Sequence, residues 1–292
     1  MTGMQNLIKR NLWVFFRDRS AVFFSFLSVI IIIALYALFL ADTQVQSLKS
    51  MVGDADGIRF LVDSWIMGGL LAVNTVTVSL GALAVMVRDQ ETKAMRDFMT
   101  APINRTTIVL SYIISAFIIG VVITVVGLFA MEAYITLSGG EWLPAAALAK
   151  TLGVLLLCVI NSTAMLFFIT SFVRSSTAFS TVSTITGTMI GFLAGIYVPI
   201  GVLPQSVQYV IEIFPTSHGA VLLRQLFMEM PLAQVFQNAP AEVLEEYNKV
   251  FGVKFYVGGE PLSDQMMILY LSVVTVVFIL LSIWRVRKMK TN

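Results

Sequence analysis

Six long apolar stretches set the limits on what this chain can become. They run roughly over residues 21–41, 65–87, 107–135, 145–172, 178–198 and 267–285 of the 292-residue sequence. A helix needs about 20 apolar residues to cross the hydrocarbon of a bilayer. Charged residues make up only 12% of the chain, against about 25% in an ordinary soluble domain. The pattern therefore predicts an all-α integral membrane protein. The first apolar run is longer than the ~7–15-residue core of a signal peptide, and Phe39 stands where cleavage after Ala41 would need a small residue. It reads as an uncleaved span. Cys158 is the only cysteine, so no disulfide can form within the chain.

Six spans place both termini on one side, and the distribution of basic residues says which. Assigning the termini, residues 88–106 and residues 173–177 to the cytoplasm puts 13 of the 19 Lys and Arg there, Lys290 among them. Only 4 of the 17 acidic residues share that side. Residues 4–19 precede the first span with Met4, Leu7, Ile8, Leu12, Phe15 and Phe16 on one face and Asn6, Lys9, Arg10 and Arg17 opposite. This pattern predicts a helix lying in the membrane interface, with Asn11 and Trp13 on the wrong faces. Residues 199–266 form the only sizeable outer segment. Pro199, Pro204 and Pro215 cut its first part into short pieces, and a helix over Ser217–Gln237 should break at Pro231. An exposed acidic helix follows over Glu242–Val250.

The sequence lacks the usual means of capturing energy. It contains no G-x-x-x-x-G-K-[ST], and indeed no Gly-Lys dipeptide. One histidine, His218, and one cysteine cannot build a zinc site. The middles of the spans hold almost no ionisable groups; Glu132 and Lys150 lie near predicted outer ends. Energy must then reach this chain from elsewhere.

Two stripes of small and hydroxylic residues run along the spans. In the fifth, Thr181, Thr184, Gly187, Thr188, Gly191 and Gly195 share a helical face. In the second, Gly68, Ala72 and Thr75 do the same, and Asn74 lies on another face near mid-membrane. Small residues let helix backbones approach, either within the chain or between two copies, and hydroxyls and amides can also line a path.

Three segments together resemble the type-2 permeases of ATP-binding-cassette exporters. The first is the basic N-terminal helix ending Phe16-Arg17-Asp18-Arg19. The second is the insert at 88–105, particularly Arg96-Asp97-Phe98-Met99-Thr100-Ala101-Pro102 and Arg105. The third runs from Gly191 through Val198-Pro199, Leu203-Pro204 and Phe214-Pro215 to Leu223-Arg224. The insert departs from the family at Lys93-Ala94, where Gly-Thr is common.

The resemblance implies a single permease domain over residues 1–292, in the cell membrane. It has six transmembrane helices, an N-terminal interfacial helix, a cytosolic coupling helix and short outer helices before the last span. It implies two separate ATPase subunits holding ATP and magnesium, with no cofactor in this chain, and a second permease copy or relative joined through the second and fifth spans. Membrane lipids surround the assembly and no nucleic acid is involved. Glu91, Arg96, Asp97 and Arg105 would make charged contacts with the ATPase around the apolar anchors Phe98 and Met99. Thr100 and Pro102 would end the docking helix. The long outer segment and apolar spans favour the branch exporting drugs and antibiotics. Export of a lipid-linked glycan, a non-transporting membrane scaffold and a channel without ATP coupling are the competing expectations.

Overall fold

The computed structural model describes residues 2–257 and 260–288. Lys290, counted above with the basic residues, and Gly258 and Gly259 of the outer segment lie outside them. Helix α1 (Thr2–Arg17) leads into α2 (Arg19–Leu35). A π-helical turn over Tyr36–Leu40 joins α2 to α3 (Ala41–Val52). Next come α4 (Ile58–Glu91), the short α5 (Ala94–Thr100), α6 (Arg105–Leu137), α7 (Ala145–Thr170) and α8 (Ser176–Leu193). A 3-10 turn at Ile200–Val202 precedes α9 (Gln205–Ile213), α10 (Pro215–Val235), α11 (Ala241–Val250) and α12 (Asp264–Arg287). A two-residue antiparallel ladder, Tyr256–Val257 on Glu260–Pro261, is the only strand pairing among the described residues. The fold is an all-α membrane bundle, as the apolar pattern predicts.

Among the described residues five helices are long and apolar enough to cross a membrane: the first from Arg19 to Leu38, then α4, α6, α7 and α12. The fifth predicted span, 178–198, is the 18-residue α8, which stops at Leu193. Its many hydroxyls keep it less apolar than the others. The first span does not end at 41, because helical structure continues through the π turn to Val52.

The longest helix, α4, is the centre of the bundle, with α6, α7, α8 and α10 packed around it. Its 34 residues reach about 50 Å at 1.5 Å per residue. One end of the bundle carries α5; the opposite, far end carries α3, α9 and α11. At the far end Arg59 and Asp63 of α4 together clamp four elements. Arg59 Nε donates to Asp63 Oδ2 at 3.0 Å, its Nη1 to Asp42 Oδ1 of α3 at 3.1 Å and its Nη2 to Tyr134 Oη of α6 at 3.2 Å. Tyr36, in the π turn, donates to the same buried Asp63 at 2.9 Å. This carboxylate is buried with its charge paired and its oxygens bonded, the condition under which burial is tolerated.

The segment after α8 differs most from expectation. Helix α10 runs unbroken through Pro231 and is buried along most of its length. It lies antiparallel to the far half of α4: Gly57 meets Gln234 and Gly68 meets Arg224. Its first turn reaches deep into the bundle, where Gly219 abuts Cys158 halfway along α7. So the start of α10 dips between the long helices and the helix returns along α4, while α9 packs against α10 with most of its residues exposed. An interfacial helix lying flat is not what the residues after Pro215 build.

Candidate coupling segment and helix seam

The link between α4 and α6 is built around one buried carboxylate. Asp89 is 4% exposed. Arg10 of α1 donates to it through both amino groups, Nη2 reaching Oδ1 at 2.6 Å and Nη1 bonding Oδ2. Tyr112 of α6 donates to Oδ2 at 2.5 Å. The bonds to Asp89 push the Arg10 guanidinium above its ordinary range, against the opposing effect of partial burial. The same guanidinium sits 5.4 Å from the centre of the Phe98 ring, a cation–π contact with α5. Asn11, on the wrong face of a simple amphipathic pattern, donates to Ser115 of α6 at 3.3 Å. Helix α1 is thus fixed onto α4, α5 and α6, with Leu7, Asn11 and Phe15 facing them and Trp13 exposed. Neither Asp89 nor Tyr112 stood out in the sequence. A carboxylate two residues beyond an apolar span, with a basic helix upstream, is the signal that was available.

The predicted coupling residues divide into two groups. Glu91 accepts from the Ser176 backbone at 3.2 Å and from its hydroxyl, so it caps the N-terminus of α8. Arg105 donates to the Arg287 carbonyl at 3.1 Å, near the C-terminus of α12, and Arg287 in turn donates to Thr106 at 3.2 Å. Phe98 is half-buried beneath Arg10, and Thr100 bonds the Asp97 carbonyl at 3.0 Å. Arg96, Asp97, Thr100 and Pro102 are exposed; the Met99 side chain lies outside what is described. Phe98 thus packs partly within the permease, and Glu91 and Arg105 hold neighbouring helices. The backbone at Lys93 shows why glycine suits this position. Lys93 precedes α5 with φ 64° and ψ 5°, the left-handed region, and is the only non-glycine residue with positive φ among those described.

The two stripes also separate. On α4, Gly68, Ala72 and Thr75 face inward. A Cβ at Gly68 would lie 2.9 Å from Arg224 Cα, so two helix backbones touch there. Thr75 hydrogen-bonds Ser162 of α7 at 3.1 Å, as Ser79 does Thr163 at the same distance. This stripe packs inside one chain. Asn74 is buried, with neither amide atom hydrogen-bonded among the described residues, and its Nδ2 would lie 2.8 Å from a Cβ at Gly127 of α6.

On α8, Thr181, Thr184 and Thr188 are exposed, and each hydroxyl donates to the carbonyl four residues back at 2.9–3.2 Å. Gly187 has open space beside it. Farther along, the face turns inward. Gly195 (φ 63°) ends α8 with bonds from its own N–H to Phe192 and from Ile196 to Gly191, the paired closure that favours glycine. The Tyr197 ring folds back over Gly191. The Gly195 carbonyl accepts from Arg224 Nη2 at 2.9 Å, and the buried guanidinium lies 4.7 Å from the Trp65 ring centre.

Comparison with curated proteins finds no match. A family model does match, over residues 2–228, and its description is ABC-2 type transporter. That range takes in the α1 clamp on Asp89, the α5 segment and α10 through Arg224. By this match across most of its length, the chain belongs to the ABC-2 type transporter family, as a multi-pass membrane permease component that is not itself catalytic.

Proposed function

We propose that this permease works as half of an ATP-driven exporter that moves amphiphilic drugs, antibiotics or lipids out of the cell. In this reading two separate ATPase subunits, holding ATP and magnesium, bind beneath the α5 end, and a second copy of the chain completes the path. The observation that carries the reading is the wiring of α5. Its exposed side presents Arg96 and Asp97, and its flanks are tied to α1 and α6 through Asp89, to α8 through Glu91 and to α12 through Arg105. A push on α5 is transmitted to four helices at once. The exposed face of α8, with hydroxyls already bonded to their own helix, offers an amphiphile a weakly polar wall.

The docking contacts belong to Arg96 and Asp97, because Phe98, Glu91 and Arg105 serve the permease internally. Co-reconstitution with the ATPase in liposomes tests this. The double variant Arg96→Ala, Asp97→Ala should reduce substrate-stimulated ATP hydrolysis and export about tenfold while leaving purified permease equally stable. Undiminished coupled transport would overturn the docking assignment.

A further inference from the structure

At the far end of the bundle, α7, α10, α11 and the start of α12 enclose a cavity of about 1160 Å³. None of its lining comes from α8 or residues 88–105, so it is separate from the proposed seam and coupling segment. The volume exceeds the ~300–1,000 Å³ of most small-molecule pockets. One wall is apolar: Val154 and Leu157 of α7, Leu226 of α10 and Ile268 of α12. Ile268 is 40% exposed and continues into the exposed Leu269 and Met266, so this wall runs into the exposed apolar surface of α12, a helix long and apolar enough to cross a membrane.

The rim carries charges of both signs. Lys150 and Lys254 supply two cations, Glu229 and Asp264 two anions, and all four are exposed. None of the four is ion-paired with another described residue. Asn248 also lines the cavity. It is 7% exposed, and its Oδ1 has no hydrogen-bond partner among the described residues. A buried acceptor without a donor calls for one from outside the chain.

We propose that this cavity holds one membrane phospholipid with a primary-ammonium headgroup. The two lysines match its phosphate, the two carboxylates its ammonium, and the apolar wall its acyl chains. The ammonium also supplies the N–H donor that Asn248 lacks. A trimethylated headgroup has the same charges but no donor. A glycerol headgroup has donors but no positive charge for Glu229 and Asp264.

The purified full chain, exchanged into vesicles of equal parts phosphatidylethanolamine, phosphatidylcholine and phosphatidylglycerol and then extracted, would be weighed by native mass spectrometry. One phosphatidylethanolamine should remain bound, favoured about tenfold over either competitor, as a charge-assisted hydrogen bond requires. Asn248→Leu should remove the preference over the choline lipid, and Lys150→Ala, which loses a phosphate contact common to all three lipids, should weaken retention of every class. Gly153→Trp fills the cavity from an exposed position on α7 with open space around it, and should release lipid of every class. If Asn248→Leu does not fold, the variants at Lys150 and Gly153 decide. Equal retention of the ethanolamine and choline lipids, preference for the glycerol lipid, no retained lipid, or retention unchanged by Gly153→Trp would each overturn the proposal.

Discussion

At Lys93 the backbone takes a conformation that a side chain resists. The left-handed region brings Cβ against the following carbonyl and costs a non-glycine residue about 1–2 kcal/mol. Glycine escapes that clash but loses more entropy on folding, about 0.5–1 kcal/mol. Lys93→Gly should therefore stabilise the permease modestly, by up to ~1 kcal/mol. Thermal unfolding in detergent would register this as a small upward shift, and a lower midpoint would contradict the strain argument. Gly68 presents the opposite case. A methyl group there meets Arg224 Cα at 2.9 Å, and backbone cannot rotate aside as a side chain can. Gly68→Ala should force α4 and α10 apart at a cost of about 1–3 kcal/mol. Gly81→Ala, on the same helix with nothing within 4 Å, should be neutral or slightly stabilising in the same assay. Similar losses at both positions would mean that the α4–α10 contact is not close.

At the scale of elements, the proposed contact between two copies falls to the exposed hydroxyl face of α8, since the α4 stripe packs within the chain. In a two-fold interface a residue near the axis meets its own counterpart. With Cys158→Ala as background, Thr184→Cys or Thr188→Cys should form a disulfide-linked dimer on oxidation, provided the two Cα atoms approach within about 7 Å. Val276→Cys, on the exposed face of α12, should remain monomeric. Crosslinking through Val276→Cys alone would place the interface on α12 instead. Element type was largely legible in the sequence, because hydropathy and helical periodicity decide it locally. The partner of each face was not. The spacing of Gly68, Ala72 and Thr75 announces that a backbone comes close, but the same spacing serves a neighbouring copy or α10. Residues 42–52 are too polar to extend an apolar run, so the continuation of helical structure to Val52 gave no hydropathy signal. Likewise the composition of 215–235 suits an interfacial helix, and only its tertiary contacts with α4 and α7 reveal that it dips inward. The coupling segment was legible as a location, whereas the inward roles of Glu91, Phe98 and Arg105 depend on helices remote in sequence.

For the whole molecule the outstanding physical question is which end faces the cytoplasm. The α5 end gathers Lys9, Arg10, Arg17, Arg88, Lys93, Arg96, Arg105, Arg174 and the basic last turn of α12. The far end carries α11 with Glu242, Glu245 and Glu246, and only a minority of the cations. Short basic loops are retained on the cytoplasmic side during insertion, and acidic residues contribute little, so the α5 end should be cytoplasmic. The sole native cysteine is buried, which makes the orientation directly measurable. Single cysteines at two exposed positions, Arg96→Cys on α5 and Glu246→Cys on α11, would be introduced with Cys158→Ala. In intact cells a membrane-impermeant maleimide should label Glu246→Cys fully and leave Arg96→Cys unlabelled until the membrane is permeabilised. The reverse pattern would invert the molecule, place α5 out of reach of any cytoplasmic ATPase and remove the basis of the coupling assignment. Labelling of both sites in intact cells would mean that the helices between α5 and α11 do not separate two aqueous compartments. The test thus bears on α8 as well, since its 18 residues span about 27 Å, just short of the ~30 Å hydrocarbon core. If α8 crosses, as the expected pattern requires, the bilayer must thin or the chain beyond Leu193 must complete the passage. The inward-facing Gly195 turn is placed to do the latter, because Ser217 and Arg224 of α10 bond the Leu193 and Gly195 carbonyls at the end of α8.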